Sequence, residues 1–123
     1  MKTALVIEDD DNNMVLITEL LAQGRYDTRQ ARSGEEGIAR ALDEPPDFII
    51  LDIDLPGIDG YEVLRRLRGS ELDGRVAIIA MTSFAMAGDR ERLLAAGCTG
   101  YIEKPIDPMA VLGQIRDILE ATD

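Results

Sequence analysis

The sequence predicts an α/β fold, a doubly wound parallel sheet made of five strand–helix units. Three observations predict it. Short apolar runs recur five times along the 123 residues. A segment with apolar residues at helical spacing follows each run. The connections are short, and no linker, internal repeat or low-complexity tract interrupts the alternation. Strands that alternate with helices imply parallel pairing through right-handed crossovers.

The first run, TALVI at 3–7, reads as a buried strand stopped by Glu8-Asp9-Asp10-Asp11. Asn12 or Asn13 can cap the helix that follows, with Met14, Ile17, Leu20 and Leu21 on one face and Gly24 at its end. Tyr26 to Ala31 is less apolar, as suits a strand near an edge. Ser33-Gly34-Glu35-Glu36 opens a second helix whose inward residues are Ile38, Ala41 and Leu42. Pro45-Pro46 forbids its continuation. Phe48-Ile49-Ile50-Leu51 is apolar throughout, as a central strand covered on both faces must be, and it ends at Asp52.

After a Pro56-Gly57 turn, Asp59-Gly60 leads into a helix bearing Val63, Leu64 and Leu67. Val76 to Met81 is another fully apolar strand, ended by Thr82-Ser83. A helix from Ala85 to Ala95 closes at Gly97. Thr99 to Glu103 is the fifth strand, ended by Lys104-Pro105. Asp107 can cap the last helix, with Met109, Leu112, Ile115 and Leu119 on one stripe.

Composition narrows the function. The chain holds 24 acidic and 13 basic residues, a formal charge of −11. Nucleic acid and anionic membranes need Lys and Arg to displace their counterions, so direct contact with either is not expected. The absence of histidine removes His-ligated metals, His general bases and phosphohistidine on this chain. Cys98 is the single cysteine, so no internal disulfide forms. No signal-peptide-like or membrane-length apolar run is present, and one cytoplasmic domain spanning 1–123 is expected.

The chemistry collects where strands stop. Open α/β sheets bind ligands beyond the carboxyl ends of their strands, at the switch point in strand order. Here those ends carry Glu8-Asp9, Asp52, Thr82-Ser83 and Lys104. With the strand order 2-1-3-4-5, strands 1 and 3 are neighbours, and Glu8, Asp9 and Asp52 converge on one crevice. Each carboxylate pair at about 4 Å repels by roughly 4 kcal/mol at an effective dielectric near 20. Lys104 can supply one neutralising charge. Mg²⁺, which takes one or two carboxylates together with phosphate oxygens and water, can supply the rest. A carboxylate beside Mg²⁺ and a lysine is a plausible phosphoryl acceptor, with Thr82 donating to the phosphoryl oxygens.

Glu8-Asp9, Asp52, Thr82 and Lys104-Pro105, in this order and spacing, resemble the receiver domain of two-component response regulators, over essentially the whole chain. Met81-Thr-Ser-Phe-Ala-Met-Ala-Gly-Asp89 and Ala96-Gly-Cys-Thr-Gly-Tyr-Ile-Glu-Lys-Pro105 are especially similar to single-domain cell-division regulators and to receivers of hybrid kinases. The resemblance implies a flavodoxin-like or receiver-like (βα)₅ fold. It implies that Asp52 takes a phosphoryl group from the phosphohistidine of a histidine kinase or histidine phosphotransfer protein. It implies that Glu8, Asp9, Asp52 and the backbone carbonyl of Asp54 hold Mg²⁺, and that Thr82 and Lys104 contact the phosphoryl group. Thr82 and Tyr101 would be the switch residues, and Lys104–Pro105 a cis peptide. A downstream protein would read the face of helix 4, strand 5 and helix 5, where Ala85, Met86, Arg90, Tyr101 and Pro108 fall. Phe84, two residues after Thr82, has no polar group to orient water, so slow self-dephosphorylation is expected, with Phe84→Glu as its test.

Taken singly, each feature has a plainer reading. Asp9-Asp10-Asp11 suits a solvated loop, Thr82-Ser83 a helix cap, Lys104 the surface, and Tyr101 ordinary packing. Cys98 reads as a small buried residue, Met81 as core and Met86 as helix surface. Their joint placement at strand ends is what carries the argument. Among whole-chain alternatives, Asp52-Ile53-Asp54 resembles the Asp-x-Asp of haloacid-dehalogenase-type phosphatases, with Asp54 as general acid. That motif lies on the third strand, however, and no cap domain is encoded. A binding module that never accepts phosphate is a second alternative. A flavodoxin-like electron carrier is a third, disfavoured by the acidic loop after strand 1.

Overall fold

The computed structural model describes residues 1–72, 74–83 and 86–121. Five strands alternate with five helices: β1 Thr3–Ile7, α1 Asp11–Gln23, β2 Asp27–Ala31, α2 Gly34–Asp43, β3 Phe48–Asp52, α3 Gly60–Arg68, β4 Ala77–Thr82, α4 Ala87–Ala96, β5 Gly100–Glu103 and α5 Val111–Ala121. The strands form one sheet in the order β2-β1-β3-β4-β5, and every pair is parallel. The order reverses between β1 and β3, where Ile7 lies opposite Leu51.

The period of two along each strand divides the core into two layers. Leu5, Ile7, Ile49, Leu51, Ile78 and Ala80 face one side, packed with Val63, Leu64 and Leu67 of α3, Ala41 of α2 and Leu93 of α4. Ala4, Val6, Phe48, Ile50, Ile79 and Met81 face the other, packed with Met14 and Ile17 of α1 and Ile115 and Leu119 of α5. Central strands must be apolar on both faces for this reason, whereas edge strand β2 tolerates Asp27, Arg29 and Gln30.

The helix starts follow local chemistry, with some differences from the sequence reading. Asp10, not Asn12 or Asn13, caps α1, its carboxylate accepting from the Asn13 N–H at 2.8 Å. A carboxylate also complements the positive end of the helix. Ser33 caps α2 by accepting from Glu36 N–H, and Asp59 caps α3 by accepting from Glu62 N–H. Thr82 and Ser83 do not occupy the cap position of α4, which is Met86 and makes no side-chain capping bond. Asp107 accepts from Met109 N–H and orders the turn before α5. That turn puts Met109 94% exposed, so the buried stripe of α5 is phased from Val111 through Ile115 to Leu119. Leu42 also points outward, because the buried face of α2 is Gly34, Gly37 and Ala41.

Two glycines are required by position. Gly97 ends α4 with φ +111°, left-handed backbone that a side chain rarely adopts. Gly60 lies so close to the chain after β3 that a Cβ there would meet the backbone of Ile53. This contact sets the start of α3 against the residues that follow Asp52. Cys98 is buried, and burial pushes its thiol up to about 11.

Candidate functional site

The carboxyl ends of β1, β3, β4 and β5 meet at the reversal of strand order. Glu8 continues the alternation of β1 inward, its N–H still bonded to the Ala31 carbonyl at 3.0 Å, and is fully buried. Asp9 is exposed on the rim. Asp52 ends β3 with its residue 3% exposed, and Thr82 ends β4 at 2%. Glu8, Asp9 and Asp52 each offer a carboxylate oxygen within 4.8 Å of the others.

Hydrogen bonds orient this cluster. Oδ1 of Asp52 accepts from the Asp54 N–H at 2.9 Å and from Lys104 Nζ at 2.6 Å. Lys104 Nζ also stands 3.5 Å from Oδ2 of Asp54. Lys104 reaches the crevice from the end of β5, its N–H bonded to the Thr82 carbonyl at 2.8 Å. The Lys104–Pro105 peptide is cis.

The electrostatics reflect crowding of like charge. Burial pushes the Glu8 carboxyl up to about 7, and neighbouring Asp52 adds to the rise, against the Asp10 N–H and the Lys104 charge. Burial alone would lower Lys104, but the hydrogen bond and charge of Asp52, then Glu8 and Asp54, outweigh it and hold the ammonium above its ordinary value. Oε1 of Glu8 is buried with no hydrogen-bond partner. A buried oxygen of this kind is costly unless something fills its coordination. The donor set is all hard oxygen, which suits a divalent cation such as Mg²⁺.

The structure brings together Glu8, Asp9, Asp52, Asp54 and Lys104, and Thr82 lies at the same edge, beside Asp52 through the pairing of β3 with β4. Tyr101 stands apart on β5, half-buried, with the Arg90 guanidinium 5.5 Å from its ring centre. Met86 and Pro108 are exposed. Phe84 and Ala85 lie outside the described residues.

Two hollows escaped the sequence reading. One, of about 550 Å³, runs past Asn13, Leu16, Ser83, Pro105 and Ile106 to Glu8 and Lys104. The other, of about 310 Å³, adjoins Asp54 and Thr82 and is walled by Tyr61 of α3 and Arg92 of α4. No local pattern marks either, because each is walled by residues of separate elements, Leu16 of α1 with Ile106 after β5 in one and Tyr61 of α3 with Arg92 of α4 in the other.

Comparison with known proteins agrees with this geometry. The family model for the response regulator receiver domain matches residues 4–116. The polar-differentiation response regulator DivK of Brucella ovis is 38% identical over 118 residues, covering 96% of each chain. A CheY-like receiver domain protein from Methanospirillum hungatei superposes with a TM-score of 0.88 at 27% identity, over 99% of this chain and 96% of that one. The receiver domain of a histidine kinase from Syntrophus aciditrophicus gives 0.86 at 26% identity, over 98% and 92%. No helix among the described residues is long and apolar enough to cross a membrane. The strand order, the acidic crevice and these similarities lead to one conclusion: the chain belongs to the response regulator receiver domain family of two-component signalling.

Proposed function

We propose that this chain, read as a single cytoplasmic domain over 1–123, is a switch whose Asp52 accepts a phosphoryl group from a partner's phosphohistidine. The observation that carries this reading is the convergence of Glu8, Asp9 and Asp52 within 4.8 Å, with Lys104 Nζ 2.6 Å from Asp52. Glu8, Asp9, Asp52 and the Asp54 carbonyl would hold Mg²⁺. When bound, Mg²⁺ supplies positive charge that offsets the oxygens of the transferring group.

The residues divide the work. Lys104 and the Asp54 N–H engage Oδ1 of Asp52, which leaves Oδ2 to attack phosphorus. As the new O–P bond forms, the N–P bond of the phosphohistidine breaks and the imidazole leaves with its electron pair. Thr82 donates to the phosphoryl oxygens. The groove past Leu16, Pro105 and Ile106 offers apolar walls against which a donor protein can seat while its histidine reaches Asp52.

The signal then leaves by contact. Thr82 and Tyr101 would shift together between two conformers, and a downstream protein would read α4, β5 and α5, where Met86, Arg90 and Pro108 are exposed. The phosphatase alternative is less well supported, because Oδ2 of Asp54 is engaged by Lys104 Nζ at 3.5 Å.

The test is incubation with Mg²⁺ and acetyl phosphate, followed by intact mass measurement. One phosphoryl adduct per chain, absent in Asp52→Asn and without Mg²⁺, supports the reading. No adduct on the wild type with Mg²⁺ present would sink it.

A further inference from the structure

Asn13 is the third residue of α1 and is half-buried. It lines the hollow of about 550 Å³ that reaches Glu8 and Lys104. In a capping box the side chain at this place turns back and bonds the N–H of the capping residue. Here that N–H is taken. Asp10 donates it to Oε2 of Glu8 at 3.2 Å, while the Asp10 carboxylate accepts from the Asn13 N–H at 2.8 Å. The Asn13 carboxamide is therefore released from capping, and it makes no hydrogen bond to any described residue.

The other groups along this hollow already have work. Lys104 is bonded to Asp52, and Glu8 belongs to the acidic cluster. Leu16, Pro105 and Ile106 are its apolar wall. Of the remaining polar residues, Ser83 is exposed, whereas Asn13 is half-buried. A flat ring fits against an apolar wall, and a carboxamide oxygen can accept from a ring N–H. The chain has no histidine, so an imidazole reaches this groove only from another molecule.

We propose that Asn13 orients the phosphoryl donor: its Oδ1 accepts the N–H of the donor's imidazole, on the ring nitrogen that does not carry phosphorus. The inference deepens the phosphoacceptor reading above and rests on it. In the transfer, Oδ2 of Asp52 bonds to phosphorus as the N–P bond breaks, and the ring nitrogen keeps the bonding pair. The proton on the far nitrogen stays there throughout, so the ring leaves as neutral imidazole rather than as imidazolate. A hydrogen bond to that N–H keeps the proton in place and the ring in line with the attacking oxygen. Asn13 takes no proton and bears no charge. It gives nothing to a donor without a ring N–H, so it separates phosphohistidine from acyl phosphates.

The test loads the full chain with Mg²⁺ from three small donors and follows the adduct by intact mass. Phosphoimidazole carries the ring N–H, its N-methyl analogue has methyl in place of that hydrogen, and acetyl phosphate has no ring. The work is done at about pH 6, below the ordinary imidazole value, so that the far nitrogen holds its proton. Asn13→Leu keeps the bulk and removes the acceptor. Its rate with phosphoimidazole, divided by its rate with acetyl phosphate, should fall about three- to tenfold below the wild-type ratio, the effect of one hydrogen bond. The ratio cancels any loss that falls on both donors alike, partial unfolding included. With the N-methyl analogue the corresponding ratio should stay at the wild-type value. Asn13→Asp, which keeps an acceptor at the same reach, should hold the phosphoimidazole ratio at or above wild type.

A phosphoimidazole ratio left at the wild-type value in Asn13→Leu overturns the proposal. So does an equal fall with the N-methyl analogue, which would trace the effect to packing on the ring rather than to the hydrogen bond. A ratio as low in Asn13→Asp as in Asn13→Leu overturns it too. If the wild type takes no adduct from acetyl phosphate, the phosphoacceptor reading falls and this inference with it. An adduct from acetyl phosphate but none from phosphoimidazole overturns this inference alone.

Discussion

Nζ of Lys104 lies 2.6 Å from Oδ1 of Asp52 in a crevice where the two side chains are 18% and 4% exposed. The ammonium comes from β5 and the carboxylate from β3, with β4 between them. The pair is therefore a tie across the sheet as well as part of the candidate site. Removing one partner of a buried pair leaves the other uncompensated, and Glu8 and Asp9 worsen the imbalance.

Lys104→Met should accordingly lose about 3 kcal/mol of stability in metal-free buffer. Urea unfolding with a chelator present measures this. Saturating Mg²⁺ should narrow the gap to the wild type, because it supplies the missing positive charge. A gap that Mg²⁺ leaves unchanged would count against a shared site.

Mg²⁺ should stabilise the wild type by about 2.7 kcal/mol at a hundred times its dissociation constant, as mass action requires for one site. Asp9→Ala should abolish most of that gain. Asp9 is exposed, so the substitution itself costs little without metal. Thermal melts with and without Mg²⁺ on both proteins check the point.

The strand positions and the convergence of the site were legible in the sequence because both rest on local order. An apolar run followed at once by a polar residue marks where a buried strand emerges, and Glu8, Asp52 and Thr82 follow that rule, while Lys104 comes one residue later, after Glu103 at the end of β5. The division of labour within Glu8-Asp9-Asp10-Asp11 was not legible. Four adjacent acids offer equivalent donors, and only the pleat of β1 turns Glu8 inward while Asp10 caps α1. Met109 and Leu42 misled for a related reason. Helical spacing gives a stripe but not its phase, and the phase depends on where each helix begins. The Arg92–Tyr61 stack joins different helices, and no local pattern announces such a contact.

Arg68 is the clearest case of a residue that only the fold explains. From the end of α3 its Nε donates to the Gly97 carbonyl at 2.8 Å, one terminal nitrogen to the Val76 carbonyl at 2.9 Å, and the other to Thr99 Oγ1 at 3.2 Å. Arg68→Ala should cost about 2–3 kcal/mol by stranding these acceptors. Arg68→Lys should recover little, because an ammonium cannot reproduce the planar fork. Gly97→Ala should be destabilising as well, since its Cβ would press on the Arg68 stem at 2.7 Å from a left-handed backbone. Equilibrium unfolding of the three variants tests the set.

Cys98 gives a prediction about pH. Its folded thiol, pushed up to about 11 by burial, lies above the ordinary 9. The folded chain therefore holds a proton that the unfolded chain has lost between those values. The contribution is fully present below pH 9 and is lost as pH rises towards 11, by about 3 kcal/mol. Cys98→Ala should flatten that part of the stability–pH curve relative to wild type. Alkylation of the native thiol at pH 8 should be much slower than that of the unfolded chain.

The separation of Asp52 and Lys104 has a consequence for synthesis. They stand 52 residues apart, and β4 must form between them before they meet. At about 5–20 residues per second, a nascent chain carries its acidic cluster for roughly 3–10 s before its lysine is made. Until then the emerging chain has the carboxylates without the counter-charge, and without the edge strand that delivers it. A polypeptide still on the ribosome thus lacks the counter-charge of its carboxylate cluster, which arrives only with the last strand.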